Sequence, residues 1–106
     1  MDRSFFDEYL GNALYEARVV KRITQAEMTK MTNKKWLSRP DNNRVNGFTR
    51  STYTRYERGE ISMPITYFKD ACEILGLDWV QVFREAQNYE FNCVKENDDI
   101  GKETNT

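Results

Sequence analysis

The chain is 106 residues long, which suits one domain with a single modest core, and no run approaches the ~18 consecutive apolar residues of a membrane-spanning helix. It has no histidine, and its two cysteines, Cys72 and Cys93, share no metal-ligand spacing, so zinc, cofactors and histidine-based catalysis are not expected. The net charge of −1 hides a division along the chain: residues 1–17 sum to −3, residues 18–58 to +8 (eleven basic against three acidic side chains) and residues 59–106 to −6, a footprint that suits a polyanion on the middle block.

The start of the chain lacks a basic stretch followed by an apolar one, so no signal peptide is expected. Free thiols suit the cytoplasm, although two cysteines can also pair. Ser4 followed by Asp7 resembles a capping box with aspartate in place of glutamate. Phe6, Leu10, Ala13, Leu14, Ala17 and Val20 then recur at three- and four-residue steps, which predicts a first helix over residues 5–21. Phe5 and Tyr9 widen its apolar face. Gly11 weakens it by about 1 kcal/mol relative to alanine, enough to admit a kink. Thr24-Gln-Ala-Glu27 is a full capping box and opens a second helix through Met28 and Met31 to Thr32, with Trp36 and Leu37 able to add a turn. Residues 33–46 read as an irregular insert, rich in the turn formers Pro40, Asp41, Asn42, Asn43 and Asn46. The insert is basic: Lys34, Lys35, Arg39 and Arg44 stand against Asp41 alone.

A short third helix is bounded by Thr49, a good N-cap, and Gly59, a good stop. Tyr53 and Tyr56 share one stripe and read as core, while Arg50, Ser51, Thr54, Arg55 and Arg58 occupy the other face with no carboxylate among them. Such a helix either lies against an anion or is simply solvated. Pro64 fits the first turn of a fourth helix with the buried stripe Ile65, Phe68, Cys72 and Leu75, ended by Gly76. Asp78 caps a fifth, with Trp79, Val82, Phe83 and Ala86 facing inward. From Asn88 the composition turns polar and acidic, the alternation of Tyr89, Phe91 and Cys93 admits a short strand, and residues 97–106 read as disordered. The expectation is an all-α domain over residues 1–87, with its insert at 33–46, and a polar acidic tail over 88–106.

Leu14, Ala17, Arg18, Ile23, Thr24, Gln25, Glu27 and Met28, then Thr49-Arg-Ser-Thr-Tyr-Thr-Arg-Tyr-Glu-Arg-Gly59, then Leu75-Gly76, together resemble the phage-repressor (Cro/Xre-type, lambda-repressor-like) helix-turn-helix DNA-binding family. The resemblance covers roughly residues 10–86. It implies a five-helix lambda-repressor-like domain with an inserted loop between helices 2 and 3, helix 3 entering the major groove and helix 2 crossing above it. A helix fits that groove, and side chains near its N-terminus reach the base edges. On this reading Arg50 and Arg55 grip guanine, while Ser51 and Thr54 make hydrogen bonds or touch a thymine methyl. Gln25 matches the family position that contacts phosphate beside the free N–H groups of a helix end. Thr49 is a cap first and a phosphate contact second, Arg58 and Ser62 suit phosphate, and Lys34, Lys35 and Arg44 can reach flanking phosphates. Solvation is the plain alternative for each, and Arg55 can instead turn back to a carboxylate. Arg18 and Glu57 match positions that form a structural ion pair tying helix 1 to the end of helix 3.

Family members usually join helices 2 and 3 by a tight turn with glycine, whereas here residues 33–46 precede Gly47. Doubling a loop costs only ~0.6 kcal/mol, so the helix geometry is expected to survive. The insert is either a phosphate-binding element or a mobile surface loop, and the N-terminal aromatics either enlarge the core or form a dimer contact. The resulting expectation is a sequence-specific transcriptional regulator, a repressor acting on double-stranded DNA as a homodimer at a two-fold operator. The alternative is a protein-interaction module of antitoxin or anti-defence type with autoregulatory DNA binding, its acidic tail holding a protein partner. That tail, with Glu90, Glu96, Asp98, Asp99 and Glu103, can also compete with DNA for the basic face. An enzyme is not expected, since the chain has no histidine, no Gly-rich phosphate loop and no carboxylates clustered on one face.

Overall fold

Five helices follow one another in the computed structural model: α1 (Phe5–Val20), α2 (Gln25–Leu37), α3 (Arg50–Glu57), α4 (Ile65–Leu75) and α5 (Trp79–Thr104). The structure describes the backbone of residues 4–104 and the side chains of residues 4–95. Among the described residues there is no strand, and no helix is long and apolar enough to cross a membrane.

Local chemistry sets the helix starts. Ser4 Oγ accepts the Asp7 N–H at 3.2 Å to begin α1. Thr24 and Glu27 close a reciprocal capping box at α2, with Glu27 N–H to Thr24 Oγ1 at 3.1 Å and Thr24 N–H to Glu27 Oε1 at 3.0 Å. Thr49 Oγ1 accepts the Thr52 N–H at 3.2 Å to begin α3, and Asp78 takes the Val80 N–H at 3.1 Å at the head of α5. Three ends use left-handed backbone: Gly59 after α3 (φ 70°), Gly76 after α4 (φ 73°) and, unusually for a residue with a side chain, Arg22 after α1 (φ 61°).

The core joins all five helices through Leu10, Leu14, Met28, Trp36, Tyr53, Tyr56, Tyr67, Phe68, Ala71, Cys72, Leu75, Val82 and Ala86. Several positions depart from the periodicity. Ile65 is half exposed, because the buried face of α4 is centred on Tyr67, Phe68 and Ala71 rather than on its first residue. Val20 and Met31 face outward at the margins of their stripes. Gly11 leaves no kink, and α1 runs through it unbroken. A β-carbon there would collide with the carbonyl oxygens of Tyr56 and Glu57, at 2.5 Å for the latter. The glycine therefore trades helix propensity for close approach of α1 to the end of α3.

Helix α2 runs to Leu37, so the insert begins later than its composition suggests. Trp36 explains the extension, since helical geometry carries it into the core, where it is 5% exposed. At the other end of the chain, α5 continues as one helix through Tyr89, Phe91 and Cys93, so the alternation there is not a strand. Residues i and i+2 can alternate in polarity on a helix that has left the core, because nothing then selects one face. The helix bounds pass on through the acidic stretch for which composition suggests disorder. The side chains of Glu96, Asp98, Asp99 and Glu103, and all of residues 105–106, lie outside the described residues.

Candidate nucleic-acid interface

Helix α3 is anchored on three sides. Its inner stripe, Tyr53 and Tyr56, is buried at 0% and 4% exposure. Burial first, and the Glu57 carboxylate next, raise the Tyr53 hydroxyl well above its ordinary pKa, so it stays a neutral core phenol. The end of the helix is fixed by Glu57, whose carboxylate accepts from Arg18 Nε at 2.7 Å and Arg18 Nη2 at 3.0 Å. Arg18 Nη1 donates in addition to the Ile23 carbonyl at 2.8 Å, and the Glu57 hydrogen bond raises the Arg18 pKa further. The Arg18–Glu57 pair read from the sequence is thus present and buried, and it ties α1 to α3. Gly59 completes the junction: its φ is 70°, and a β-carbon would lie 2.6 Å from the Glu8 Cα.

The start of α3 is held by α2 and α4. Asn33 in α2 pairs with the Phe48 backbone in both directions, Nδ2 to the carbonyl at 2.8 Å and Oδ1 from the N–H at 3.0 Å. The Tyr67 hydroxyl donates to the same Oδ1 at 3.0 Å. Around this clamp Trp36, Phe48, Tyr56 and Tyr67 form a ring cluster with centroids 5.0–5.8 Å apart, and Trp36 Nε1 donates to Thr66 at 2.9 Å. Arg39 is locked to Asp70 of α4 by two bonds of 2.8 and 2.6 Å. The insert thus contacts α4 through Arg39, α2 through Asn42, and the Trp36 and Phe48 rings through Arg44.

The remaining candidates divide by what already engages them. At the first turn of α3, Arg50 and Ser51 are exposed, and among the described residues neither the Arg50 guanidinium nor the Ser51 hydroxyl has a hydrogen-bond partner or counter-ion. Thr54 is half-buried, its hydroxyl donating to Gln25 Oε1 at 2.8 Å or to the Arg50 carbonyl at 2.9 Å. Gln25 Nε2 in turn donates to Glu57 at 3.1 Å, so the Gln25 amide faces the α2–α3 contact rather than the surface. Arg55 and Arg58 turn toward Glu60 at 3.6 and 3.8 Å. Ser62 donates to Asp7 at 2.7 Å. Lys35 pairs with Glu73 at 2.9 Å, a bond that raises the lysine pKa and lowers that of the glutamate. Lys34 is exposed. Arg44 lies over the Phe48 ring at 4.8 Å and the Trp36 ring at 5.5 Å. Thr49 serves as the cap, and its hydroxyl donates to Thr52 Oγ1 at 3.1 Å.

The Arg39–Asp70 and Gln25–Thr54 partnerships are among those that the sequence does not announce. Asp70 falls between Tyr67 and Ala71 on the buried face of α4, where it is 1% exposed; a carboxylate on an apolar stripe is the signal that a cation must come from elsewhere. The Gln25–Thr54 bond had no such signal, since both residues suit a wet surface equally well.

No protein-family model matches the chain, and no curated protein or solved structure does either. Among the described residues no three histidine, cysteine, aspartate or glutamate side chains come together as a metal site. What the site offers chemically is a short capped helix, rigid at both ends, whose first turn presents a cation and a hydroxyl outward.

Proposed function

We infer that this chain is a sequence-specific DNA-binding regulator of the helix-turn-helix type, a repressor that binds a two-fold operator as a homodimer. The observation that carries the reading is the first turn of α3. Arg50 and Ser51 stand exposed there, without a side-chain partner among the described residues, on a helix whose other face is buried by Tyr53 and Tyr56. A helix presented N-terminus first to the major groove places these residues at the base edges, and an arginine fits guanine O6 and N7. The +8 charge of residues 18–58 supplies the sequence-independent attraction to phosphate.

The other contacts follow with different weights. Arg55 and Arg58 are exposed and share the half-buried Glu60 carboxylate at 3.6 and 3.8 Å, and long pairs of exposed cations are weak enough for DNA to displace. Arg55 then reads a base and Arg58 a phosphate. Thr54 already spends its proton within the protein, so it meets a base by accepting a hydrogen bond or through its methyl group. The phosphate contact assigned to Gln25 falls to the backbone N–H groups at the start of α2, since its side chain is committed to Glu57 and Thr54. Lys34, Lys35, Thr49, Arg44 and Ser62 complete a phosphate-facing set, with Lys35 and Ser62 secondary because Glu73 and Asp7 hold them.

Selection of bound sequences from a randomised duplex pool, at about 0.15 M salt, tests the reading. The expected result is an enriched palindrome with half-sites one helical turn apart. A pool that stays random contradicts it.

One observation favours the second reading, a module that holds a protein partner. Phe91 is 66% exposed and Val94 48% on the part of α5 beyond the core. Truncation at Asn88 separates the two readings: loss of a captured partner with DNA affinity intact supports the module, and loss of the palindrome with it supports α5 as part of the regulator's dimer.

A further inference from the structure

Arg44 is the basic side chain of the insert whose setting the proposed contacts leave unexplained. Its backbone is bonded at its own N–H, and the chain is clamped again at Phe48. Its own N–H donates to Asn42 Oδ1 at 2.8 Å, Asn42 Nδ2 donates to the Trp36 carbonyl at 2.9 Å, and Phe48 is clamped to Asn33. Its guanidinium lies 4.8 Å from the Phe48 centroid and 5.5 Å from that of Trp36, two rings stacked at 26° with centroids 5.0 Å apart. Among the described residues no carboxylate pairs with it and no acceptor takes its side-chain N–H groups. In this respect it differs from Arg39, five residues earlier, which is bonded twice to Asp70.

A guanidinium seated over aromatic rings, with no carboxylate partner among the described residues, still has its paired N–H donors to offer, and these match two oxygens of a phosphate. Phe48 directly precedes Thr49, the cap of α3, so the seat adjoins the end of the helix that faces the groove. The chain just before a groove-bound helix N-terminus runs beside the sugar–phosphate wall of that groove.

We propose that Arg44, seated on Phe48 and Trp36, is a preformed clamp for one DNA phosphate at the groove edge, with the two aromatic residues as its positioning residues. The proposal rests on the DNA-binding reading above and adds what the insert is for. It fixes the register of the protein on the duplex through a bidentate contact that needs arginine specifically. Because the seat orders the side chain beforehand, binding loses little rotamer freedom there.

The test uses the full chain and its selected duplex, with single phosphates replaced in turn by neutral methylphosphonates. In the wild type, one position per half-site outside the α3 contacts is expected to weaken binding about tenfold, the scale of one charge-assisted bidentate contact. In Arg44→Ala that position becomes silent while the others keep their effect, and the slope of log affinity against log salt falls by about two for the dimer, about one per half-site. Arg44→Lys is expected to restore the salt slope but not the tenfold factor, because an ammonium lacks the paired donors. Phe48→Leu keeps an apolar side chain at the clamp. It is expected to weaken binding in the wild-type background and to add nothing in the Arg44→Ala background, with helicity and melting checked in parallel.

Identical methylphosphonate profiles for wild type and Arg44→Ala overturn the proposal while leaving the DNA-binding reading intact. Full rescue by lysine, or additive losses for Phe48→Leu and Arg44→Ala, overturns the seated-clamp geometry. A wild type that binds no duplex overturns both.

Discussion

Two arginine–carboxylate pairs tie the helices together, one at the end of α3 and one between the insert and α4, and they differ in how completely they are enclosed. Arg18 and Glu57 have side chains 10% and 3% exposed, and both are bonded beyond the pair itself, to the Ile23 carbonyl and to Gln25. Arg39 and Asp70 meet through an equally good fork, but Arg39 remains 24% exposed while Asp70 is 2% exposed. The first pair is a closed junction of α1, α2 and α3. The second is a strap from the insert to α4 with one end in water. Enclosure sets how much each loses when a partner is removed, since the orphaned charge either stays buried or relaxes into solvent.

Removing either member of the enclosed pair is therefore expected to do the most damage. Glu57→Ala or Arg18→Ala should cost about 3–5 kcal/mol, read from urea midpoints. Equal, small losses at all four positions would erase the distinction between the pairs. At the strap the two ends should differ: Arg39→Ala strands a buried carboxylate and should cost about 3 kcal/mol, whereas Asp70→Ala frees an arginine that can reach water and should cost about 1–2 kcal/mol. The double variant Arg39→Met, Asp70→Leu should regain most of the loss, as apolar replacement of a buried pair often does.

Gly11 sharpens the comparison from the backbone side. Gly11→Ala raises helix propensity in α1 yet places a methyl 2.5 Å from the Glu57 carbonyl oxygen, and should destabilise by about 1–3 kcal/mol. A stabilised Gly11→Ala would show that α1 and α3 are not packed this closely.

The smallest expected effects come from exposed carboxylates. Glu27 and Glu73 both have pKa values lowered from 4.5, Glu27 chiefly by the Thr24 N–H and Glu73 chiefly by Lys35. Depressed folded values give stability that is present above the unfolded pKa and lost as pH falls through the folded one. The urea midpoint should thus be insensitive to these groups near neutrality and decline below about pH 4.5. Glu27→Gln and Glu73→Gln should flatten part of that decline, and an unaltered profile in both would contradict their role. The thiols offer a parallel check. Burial pushes the Cys72 thiol up to about 12, so a thiol reagent at neutral pH should modify only the partly exposed Cys93 until the protein unfolds.

The two pairs also mark what could be read from the sequence. The five helices were legible because each carries a cap and a periodic stripe, and Arg18 with Glu57 through a resemblance that names their positions. Arg39 with Asp70 was not, because an insert has no pattern to match and a contact across 31 residues leaves no local trace. The same holds for Asn33, which reads as the first residue of the irregular insert and instead, from within α2, joins Phe48 and Tyr67. Arg50 and Ser51 were legible as surface groups of a polar face, whereas the inward turn of Thr54 and Gln25 depends on two side chains meeting between helices. Local propensity records the elements; the partners of polar groups depend on tertiary approach.

The proposed role of the first turn of α3 is to read bases. Base preferences measured position by position for wild type and Arg50→Ala, on the same selected duplex, test it most directly. The account predicts that one position per half-site loses its preference in the variant, at a cost of about 1–3 kcal/mol against the wild-type base, while the other positions keep theirs. An Arg50→Ala profile identical to that of the wild type would contradict it.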